Sequence, residues 1–383
     1  MGVMRAALLF VLFVPVAPAQ TMVNPARLPP RLRAMESPWN ERPLECSVTP
    51  IKPALNFAFR IQAGFTVRIP MNQFEGKGHG WAILTRITPR EGDRQPVFLA
   101  SRTPLPDVPK NKVEVELGGG YLLGEGKYDV RWMLLDDQDR ACHKDWTIEA
   151  RLTRAEREAR VAMRPNTVAA FSLRGAPASE IDHDDVAPLR ISILMNAAPL
   201  SPRRNRLRGT DGMSLVGSLS ALLERLPTRS VHMVAFNLEQ QKVIYQRDNF
   251  TLDAIQQVWR ALNGLELDLV DYHTLLNRRG HMDLLAGLLN QEVHAAQPSD
   301  AVVILGPVAR SLDKPPRDLL EKPEGELPRF FFFRYKPWYR QPSTLPDTLT
   351  LAVNRLKGKV LTIHTPAEFA KAIEQLERQA GSR

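Results

Sequence analysis

The sequence is poor in cysteine, since its 383 residues include only Cys46 and Cys142. A structural zinc site needs several cysteine or histidine ligands at short spacings. The chain has neither a second cysteine pair nor a His-x-x-x-His segment, so we do not expect a zinc site. In an oxidising compartment two cysteines favour one disulfide, and we expect Cys46 and Cys142 to form it.

Long apolar runs are equally scarce. The clearest one is Ala6 to Val16, which follows Arg5 and precedes Ala17-Pro18-Ala19. A basic start, a short apolar run and an A-x-A site indicate a signal peptide over residues 1–19, with a membrane anchor as the alternative. The run is too short to span a bilayer, and no later segment is long and apolar enough. We therefore expect a secreted or periplasmic protein with no transmembrane segment after signal removal.

Complete catalytic and nucleotide-binding motifs are also missing. The stretch GGGYLLGEGKYD (118–129) differs from a phosphate-binding loop at Tyr121 and Tyr128, and we expect strand-turn-strand with glycines at positive φ. The stretch GMSLVG (212–217) is one residue too long for a nucleophile elbow and falls at or inside a predicted helix. Nothing assembles into acid, base and nucleophile, so an enzyme such as a hydrolase is not expected.

Positive charge is in excess, because 51 Lys and Arg residues face 42 Asp and Glu residues, for a formal net charge of +9. This balance favours acidic partners and does not bear on the fold. Nucleic acid is not expected as a partner, because the chain has a signal for export and lacks a recognised binding module. A length of 383 residues favours two domains over one.

The first half of the chain has the pattern of short strands. Between residues 44 and 152 they are NFAFRIQ, FTVRIP, GWAILTRITP, PVFLAS, KVEVEL and YDVRWMLL, punctuated by Gly and Pro. Such strands predict a β-sandwich domain, immunoglobulin- or fibronectin-like, after an extension over residues 20–43. Cys46 opens its first strand and Cys142 precedes its last, so a bridge would join the ends of the sandwich. Residues 153–187 are charged, then small and acidic, and are predicted to be a linker.

From residue 188 the pattern changes to alternating strands and helices. The strands are LRISILM, SVHMVAFN, AVVILG, RFFFFRY and KVLTIH, and leucine stripes at helical spacing lie between them. Continuous apolar runs suit parallel strands covered on both faces. We expect helix starts at Asp347 and Thr365. The second half is therefore predicted to be a doubly wound, mostly parallel α/β domain of Rossmann-like type, so that the whole chain is α/β plus all-β.

The order of elements in this half points to one family. After its first helix, residues 230–265 predict a strand, a tight turn, a short edge strand and a helix starting at Thr251. That order resembles the von Willebrand factor type A domain and, more closely, secreted bacterial proteins related to it. The resemblance covers residues 188–380 and rests on element order and strand texture.

The resemblance implies a metal-ion-dependent adhesion site beyond the carboxyl ends of the strands, and here that site is degenerate. A hard cation needs several oxygen ligands, and none of the five positions keeps the family's Asp, Ser or Thr. We therefore expect no bound metal, no other cofactor, and an asparagine that bonds neighbouring backbone at its strand end. The five positions are Asn196, Ala198, Leu200, Met282 and Gly306.

Basic and aromatic residues follow several of the predicted strands, where ligands of open α/β sheets bind. Arginines there could take a partner's carboxylate directly, which in related domains the metal accepts. The hypothesis is an exported protein-binding or adhesion-type module that binds another protein or an acidic surface polymer. Two alternatives stay open, a merely solvated basic surface and a structural envelope scaffold without a ligand site. The candidate residues are Arg203, Arg204, Arg206, Arg208, Arg278, Arg279, Arg310, Lys336, Trp338, Tyr339 and Arg340.

Overall fold

The structure is a computed structural model, and its contacts divide the chain into two units. The first comprises Met1–Ala54, Gln62–Arg151 and Arg164–Phe171, and the second comprises Leu55–Ile61, Leu152–Met163 and Ser172–Arg383. The predicted signal peptide, residues 1–19, lies outside the described residues. The structure describes residues 20–27, 42–110, 113–161, 163–171, 187–201, 204, 206–267, 272–309, 327–336 and 347–381.

The first unit is built from β-strands in two sheets. A six-stranded sheet has the order β1-β6-β5-β8-β9-β2, and a four-stranded sheet has the order β10-β7-β4-β3. The strands are β1 Thr21–Val23, β2 Arg42–Pro43, β3 Ser47–Leu55, β4 Ile61–Pro70, β5 Gly80–Pro89, β6 Val97–Pro104, β7 Glu114–Leu123, β8 Gly126–Asp136, β9 Arg140–Ala150 and β10 Val168–Ala170.

Both sheets contribute side chains to one hydrophobic core. Phe65 of β4 comes from the four-stranded sheet and Trp132 of β8 from the six-stranded sheet, with ring centroids 5.2 Å apart. The predicted disulfide between Cys46 and Cys142 is present, with Cα atoms 6.2 Å apart. Cys142 lies inside β9 rather than before the last strand, so the bond joins the start of β3 in one sheet to β9 in the other.

The glycine-rich stretch forms strand, turn and strand as predicted, but most of its glycines do not have the expected positive φ. Gly118, Gly119 and Gly120 lie inside the continuous strand β7, and of the glycines in this stretch only Gly126 has a positive φ, +152°. A Cβ atom on Gly119 would lie 2.4 Å from the ring of Phe65, so the missing side chain makes room for an aromatic ring. The turn to β8 follows at residues 124–125.

The second unit alternates strands and helices. Its strands are β11 Leu189–Asn196, β12 Thr228–Asn237, β13 Lys242–Arg247, β14 Ala301–Pro307, β15 Arg329–Tyr335 and β16 Lys359–Ile363. Its helices are α1 Arg154–Arg157, α2 Gly209–Arg225, α3 Ile255–Asn263, α4 Tyr272–Leu276, α5 Gly280–Val293, α6 Thr348–Arg355 and α7 Pro366–Ala380. None of the helices in the described ranges combines the length and apolarity that a membrane crossing needs.

These strands form one sheet in the order β13-β12-β11-β14-β15-β16. Every neighbouring pair is parallel except β12 and the edge strand β13. All residues of β14 are buried, as expected for a strand with both faces covered. The combination of a β-rich part with an α/β part is thus confirmed at the level of secondary structure.

Two predicted helix starts are confirmed by side-chain hydrogen bonds. Asp347 accepts from the backbone N–H groups of Leu349 and Thr350 at the start of α6, and Thr365 accepts from that of Glu368 at the start of α7. The segment 153–187, predicted to be a linker, contains α1 and β10, and β10 pairs with β7.

Candidate functional site

The strand order of the second unit's sheet changes direction at its centre, between β11 and β14. β12 lies on one side of β11, whereas β15 lies on the far side of β14. Loops that diverge at such a switch point leave a crevice outside the carboxyl ends of the strands. Met195 pairs with Leu305, so the next residues, Asn196 and Gly306, lie side by side at this point. We call the carboxyl ends of β11, β12, β14 and β15, with the loops after them, the carboxyl edge.

Asn196 is held firmly at the centre of the carboxyl edge. It is only 1% exposed, and its Nδ2 donates a hydrogen bond to the carbonyl oxygen of Pro307 at 3.0 Å. This is the expected bond to neighbouring backbone. Its Oδ1 is also buried and has no partner within the described part of the chain. A buried amide oxygen without a donor is costly, so this atom is available to a water or a ligand group.

Gly306 excludes a side chain at the neighbouring position. Its φ of +144° is in the region that favours glycine. A Cβ atom there would lie 2.7 Å from the carbonyl oxygen of Asn196. An aspartate, which the resemblance implies at this position, would therefore force β11 and β14 apart.

The remaining degenerate positions are apolar and buried. Ala198 and Leu200 follow β11 with exposures of 8% and 5%, and Met282 lies in the first turn of α5 with an exposure of 4%. Among the described residues, no three His, Cys, Asp or Glu side chains are grouped so that they could hold a metal ion. The carboxyl edge therefore offers a cation few oxygen ligands from side chains.

Three buried polar residues lie at the same edge, and two of them, Asn237 and Asp211, were not identified from the sequence. Asn237 ends β12, donates from Nδ2 to the carbonyl oxygen of Ala197 at 2.7 Å and accepts from the backbone N–H of Gln240. Asp211 accepts from the backbone N–H of Arg208 at 3.0 Å and so organises the start of α2. The sequence signal was available, because a polar residue directly after an apolar strand or in a first helical turn is typical of such bonds.

Asp347 is the third of these residues, and it ties β14 to α6. Its Oδ1 accepts from the backbone N–H of Ala309, just after β14, at 3.1 Å and from those of Leu349 and Thr350. Its Oδ2 accepts from the Thr350 hydroxyl at 2.6 Å. These bonds satisfy the carboxylate within the protein, so we assign it a structural role.

The described arginines of the candidate set lie in two segments at this edge. Arg206 and Arg208 are exposed in the loop between β11 and α2, where Arg204 lies 3.9 Å from Asp211. Exposed Arg278 and Arg279 directly precede α5. Arg203, Arg310, Trp338, Tyr339 and Arg340 lie outside the described residues.

Hydrogen bonds connect both segments to the end of β12. Gln241, in the turn after β12, donates to the carbonyl oxygens of Thr274 and Asn277, at 3.2 and 2.7 Å, just before the arginine pair. Asn237, at the end of the same strand, bonds Ala197 in the loop after β11. The two arginine segments therefore border adjacent strands at the same edge of the sheet.

Lys336 differs from the arginines in its surroundings. It follows β15, and its backbone N–H donates to the carbonyl oxygen of Ile363. Burial of the ammonium group lowers the pKa of Lys336, the nearby charge of Arg334 lowers it further, and Asp347 opposes both effects. Part of the side chain is thus withdrawn from solvent, which makes it a weaker candidate for partner contact than the exposed arginines.

The likeness of this chain to solved structures is weak. No family model and no curated protein matches the chain. A solved structure from Bordetella pertussis described as ApaA is 15% identical with a TM-score of 0.19, over 30% of this chain and 99% of that one. A second structural-genomics target is 8% identical with a TM-score of 0.18, over 30% and 96%. Bacteroides uniformis β-glucuronidase 2 is 10% identical with a TM-score of 0.15, over 82% and 38%.

Proposed function

We propose that this chain is an exported protein-binding module without a metal-ion-dependent adhesion site. In this proposal an immunoglobulin- or fibronectin-like sandwich precedes a von Willebrand A-like domain. The sheet order β13-β12-β11-β14-β15-β16 supports it, as does the tight turn from β12 into an antiparallel edge strand. The same layout carried the resemblance in the sequence.

The observation that carries the binding function is the placement of the arginines. One arginine-bearing segment follows β11 after Asn196, and the other precedes α5 and is hydrogen-bonded to the turn after β12. At position 306, beside Asn196, the backbone geometry leaves no room for a side chain. An arginine binds a planar carboxylate through two parallel hydrogen bonds and needs no metal for it. The partner proposed for this edge is therefore an acidic segment of another protein.

The test uses a fluorescent oligoglutamate peptide and the full chain. We expect Arg206→Ser, Arg208→Ser, Arg278→Ser and Arg279→Ser together to weaken binding at least about tenfold, because charge-assisted bonds contribute roughly 1.5–3 kcal/mol each. Binding should also weaken with salt, because exposed charges are screened beyond about 8 Å at physiological ionic strength. Fluorescence anisotropy measures both effects.

The matched control replaces two arginines of the second unit that lie away from this edge. Arg247 ends β13, whose first residue pairs with the last residue of β12, and Arg378 lies in the last turn of α7, which begins after β16. Arg247→Ser with Arg378→Ser should leave binding nearly unchanged. Equal losses in both variants would indicate a response to net charge alone. Absence of binding by the unmodified chain would favour the structural envelope scaffold instead.

A further inference from the structure

A polar pocket lies at the edge of the second unit's sheet where the parallel strands begin, opposite the carboxyl edge. It has a volume of about 350 Å³ and is lined by the first residues of β11 and β12, residues 248–249 after β13, the end of α5 and the segment before β14. This is within the size range of small-molecule sites. We call it the amino-edge pocket and define it by Arg190, Ser192, Arg229, His232, Glu292 and Ser299.

Arg190 brings a guanidinium with an unpaired buried donor to this pocket. Its Nε is buried and has no hydrogen-bond partner among the described residues. Asp300 lies next to it, but that carboxylate accepts from the backbone N–H of Arg190, at 2.7 Å. A guanidinium keeps its charge at any physiological pH and carries five donors, so a buried donor left without an acceptor favours an added oxygen atom.

Two hydroxyl groups supply a further donor. Ser192 and Ser299 are 1% and 5% exposed, and their Oγ atoms are 2.8 Å apart. The pair contains two hydroxyl hydrogens, and the bond between the oxygens uses one of them. Neither hydroxyl forms another hydrogen bond among the described residues. The pocket wall thus holds a neutral donor as well as the guanidinium.

The carboxylates near the pocket are engaged or face water. His232 Nδ1 lies 2.8 Å from Glu292 Oε1, and this bond is the main reason that the pKa of His232 is raised, which favours an imidazolium that offsets the charge of Glu292. Asp248, 3.7 Å from His232 Nε2, has a side chain 85% exposed. The guanidinium of Arg229, like that of Arg190, forms no ion pair with a carboxylate among the described residues.

We propose that the amino-edge pocket binds a small polar molecule through its carboxylate group. The Arg190 guanidinium holds the two carboxylate oxygens, the free hydroxyl hydrogen of the Ser192–Ser299 pair donates to one of them, and Arg229 adds charge at the opening. The lining is polar except for Val231 and Ala295, which suits a ligand rich in hydroxyl or amide groups. This site is independent of the protein-binding function proposed for the carboxyl edge.

Ligand-detected NMR on the full chain tests the proposal, with L-lactate as the probe and lactamide as its uncharged analogue. We expect lactate to bind and lactamide not to bind. Arg190→Gln should weaken lactate binding at least about tenfold, the loss expected for a charge-assisted pair of hydrogen bonds. Arg190→Lys keeps the charge without the planar fork and should give a smaller loss, which guards against a folding defect in the first variant.

Arg260→Gln is the matched control, because Arg260 lies on α3 outside the pocket, and it should bind lactate as the unmodified chain does. Binding of inorganic phosphate in the absence of lactate binding would overturn the assignment to carboxylates. Equal binding of lactate and lactamide, or lactate binding that both Arg190 variants leave intact, would overturn the role of the guanidinium. Failure of lactate to bind at all would overturn the site.

Discussion

A single glycine controls what the centre of the carboxyl edge can hold. Gly306 has a φ of +144°, and a Cβ atom on it would meet the carbonyl oxygen of Asn196. We expect Gly306→Asp to lower the free energy of unfolding by about 1–3 kcal/mol, the usual cost of a side chain in such a backbone conformation. Urea unfolding followed by circular dichroism measures this loss.

Gly287 provides the control for this substitution. It lies exposed in α5, and a Cβ atom built on it meets nothing within 4 Å. Gly287→Ala should be neutral or stabilise the protein by about 0.4–1 kcal/mol, since alanine restricts the unfolded chain. A Gly306→Asp variant as stable as the unmodified protein would contradict the steric argument and would reopen this position to a metal-binding carboxylate.

His232 makes the stability of the second unit depend on pH. Its hydrogen bond to buried Glu292 raises its pKa, so the folded chain keeps this proton to higher pH than the unfolded chain. The resulting stabilisation is complete below the ordinary histidine pKa of about 6.5 and is lost as the pH rises through the higher folded value. We expect His232→Gln to reduce the loss of stability between about pH 6 and pH 8.5, as measured by urea unfolding.

His364 serves as the comparison for this prediction. Its Nδ1 lies 2.8 Å from the carbonyl oxygen of Lys336. The partner in this bond is therefore a neutral carbonyl group, whereas the partner of His232 is a carboxylate. A His364→Gln variant should retain the pH dependence. If the two variants show the same pH profile, the His232–Glu292 pair does not stabilise the folded state in the way proposed.

At the scale of secondary structure, the sequence predicted the elements that carry strong apolar patterns. The five apolar runs after residue 188 correspond to β11, β12, β14, β15 and β16. Such runs are informative because strands covered on both faces must be apolar throughout. Helix starts at Asp347 and Thr365 were predictable for a similar reason, since each residue supplies a local hydrogen bond.

Elements that depend on distant partners were not predictable. β1 and β10 are three residues long and have no periodic pattern, and each exists because it pairs with a strand far along the chain, β6 or β7. Gly119 was expected to have a positive φ, but it lies in β7, where its missing side chain admits the ring of Phe65. Such contacts follow from the fold and leave no local signal.

The sequence predicted where in the sheet the candidate site lies better than it predicted which residues form it. Asn196 was identified because it takes the position of the family's metal-binding aspartate, and it does bond neighbouring backbone as expected. Asn237 ends an apolar strand in the same way, but it has no counterpart among the family ligands that guided the prediction. Asp347 was predicted only as a helix start, and its bond to the segment after β14 was not foreseen. The amino-edge pocket had no sequence signal, because its residues come from five separate segments.

At the scale of the whole molecule, the disulfide belongs to the first unit and joins its two sheets. Cys46 directly precedes β3 in the four-stranded sheet, and Cys142 lies in β9 of the six-stranded sheet, 96 residues later. A bond that closes so long a loop restricts the unfolded chain strongly. It also joins both sides of the core that contains Phe65 and Trp132.

We expect Cys46→Ala with Cys142→Ala to lower the free energy of unfolding by about 2–4 kcal/mol. The slope of this free energy against urea concentration should increase, because the unfolded chain can then expand and expose more surface. Alanine is preferred to serine because Cys142 is only 9% exposed and a hydroxyl there would lack a water shell. Urea unfolding of the unmodified protein with and without reductant should reproduce the same difference.

Intact-mass analysis after alkylation should find no free thiol in protein recovered from the periplasm or medium. Two alkylated cysteines, or equal stability with and without reductant, would contradict the disulfide. The inference of an oxidising compartment would then lose its support.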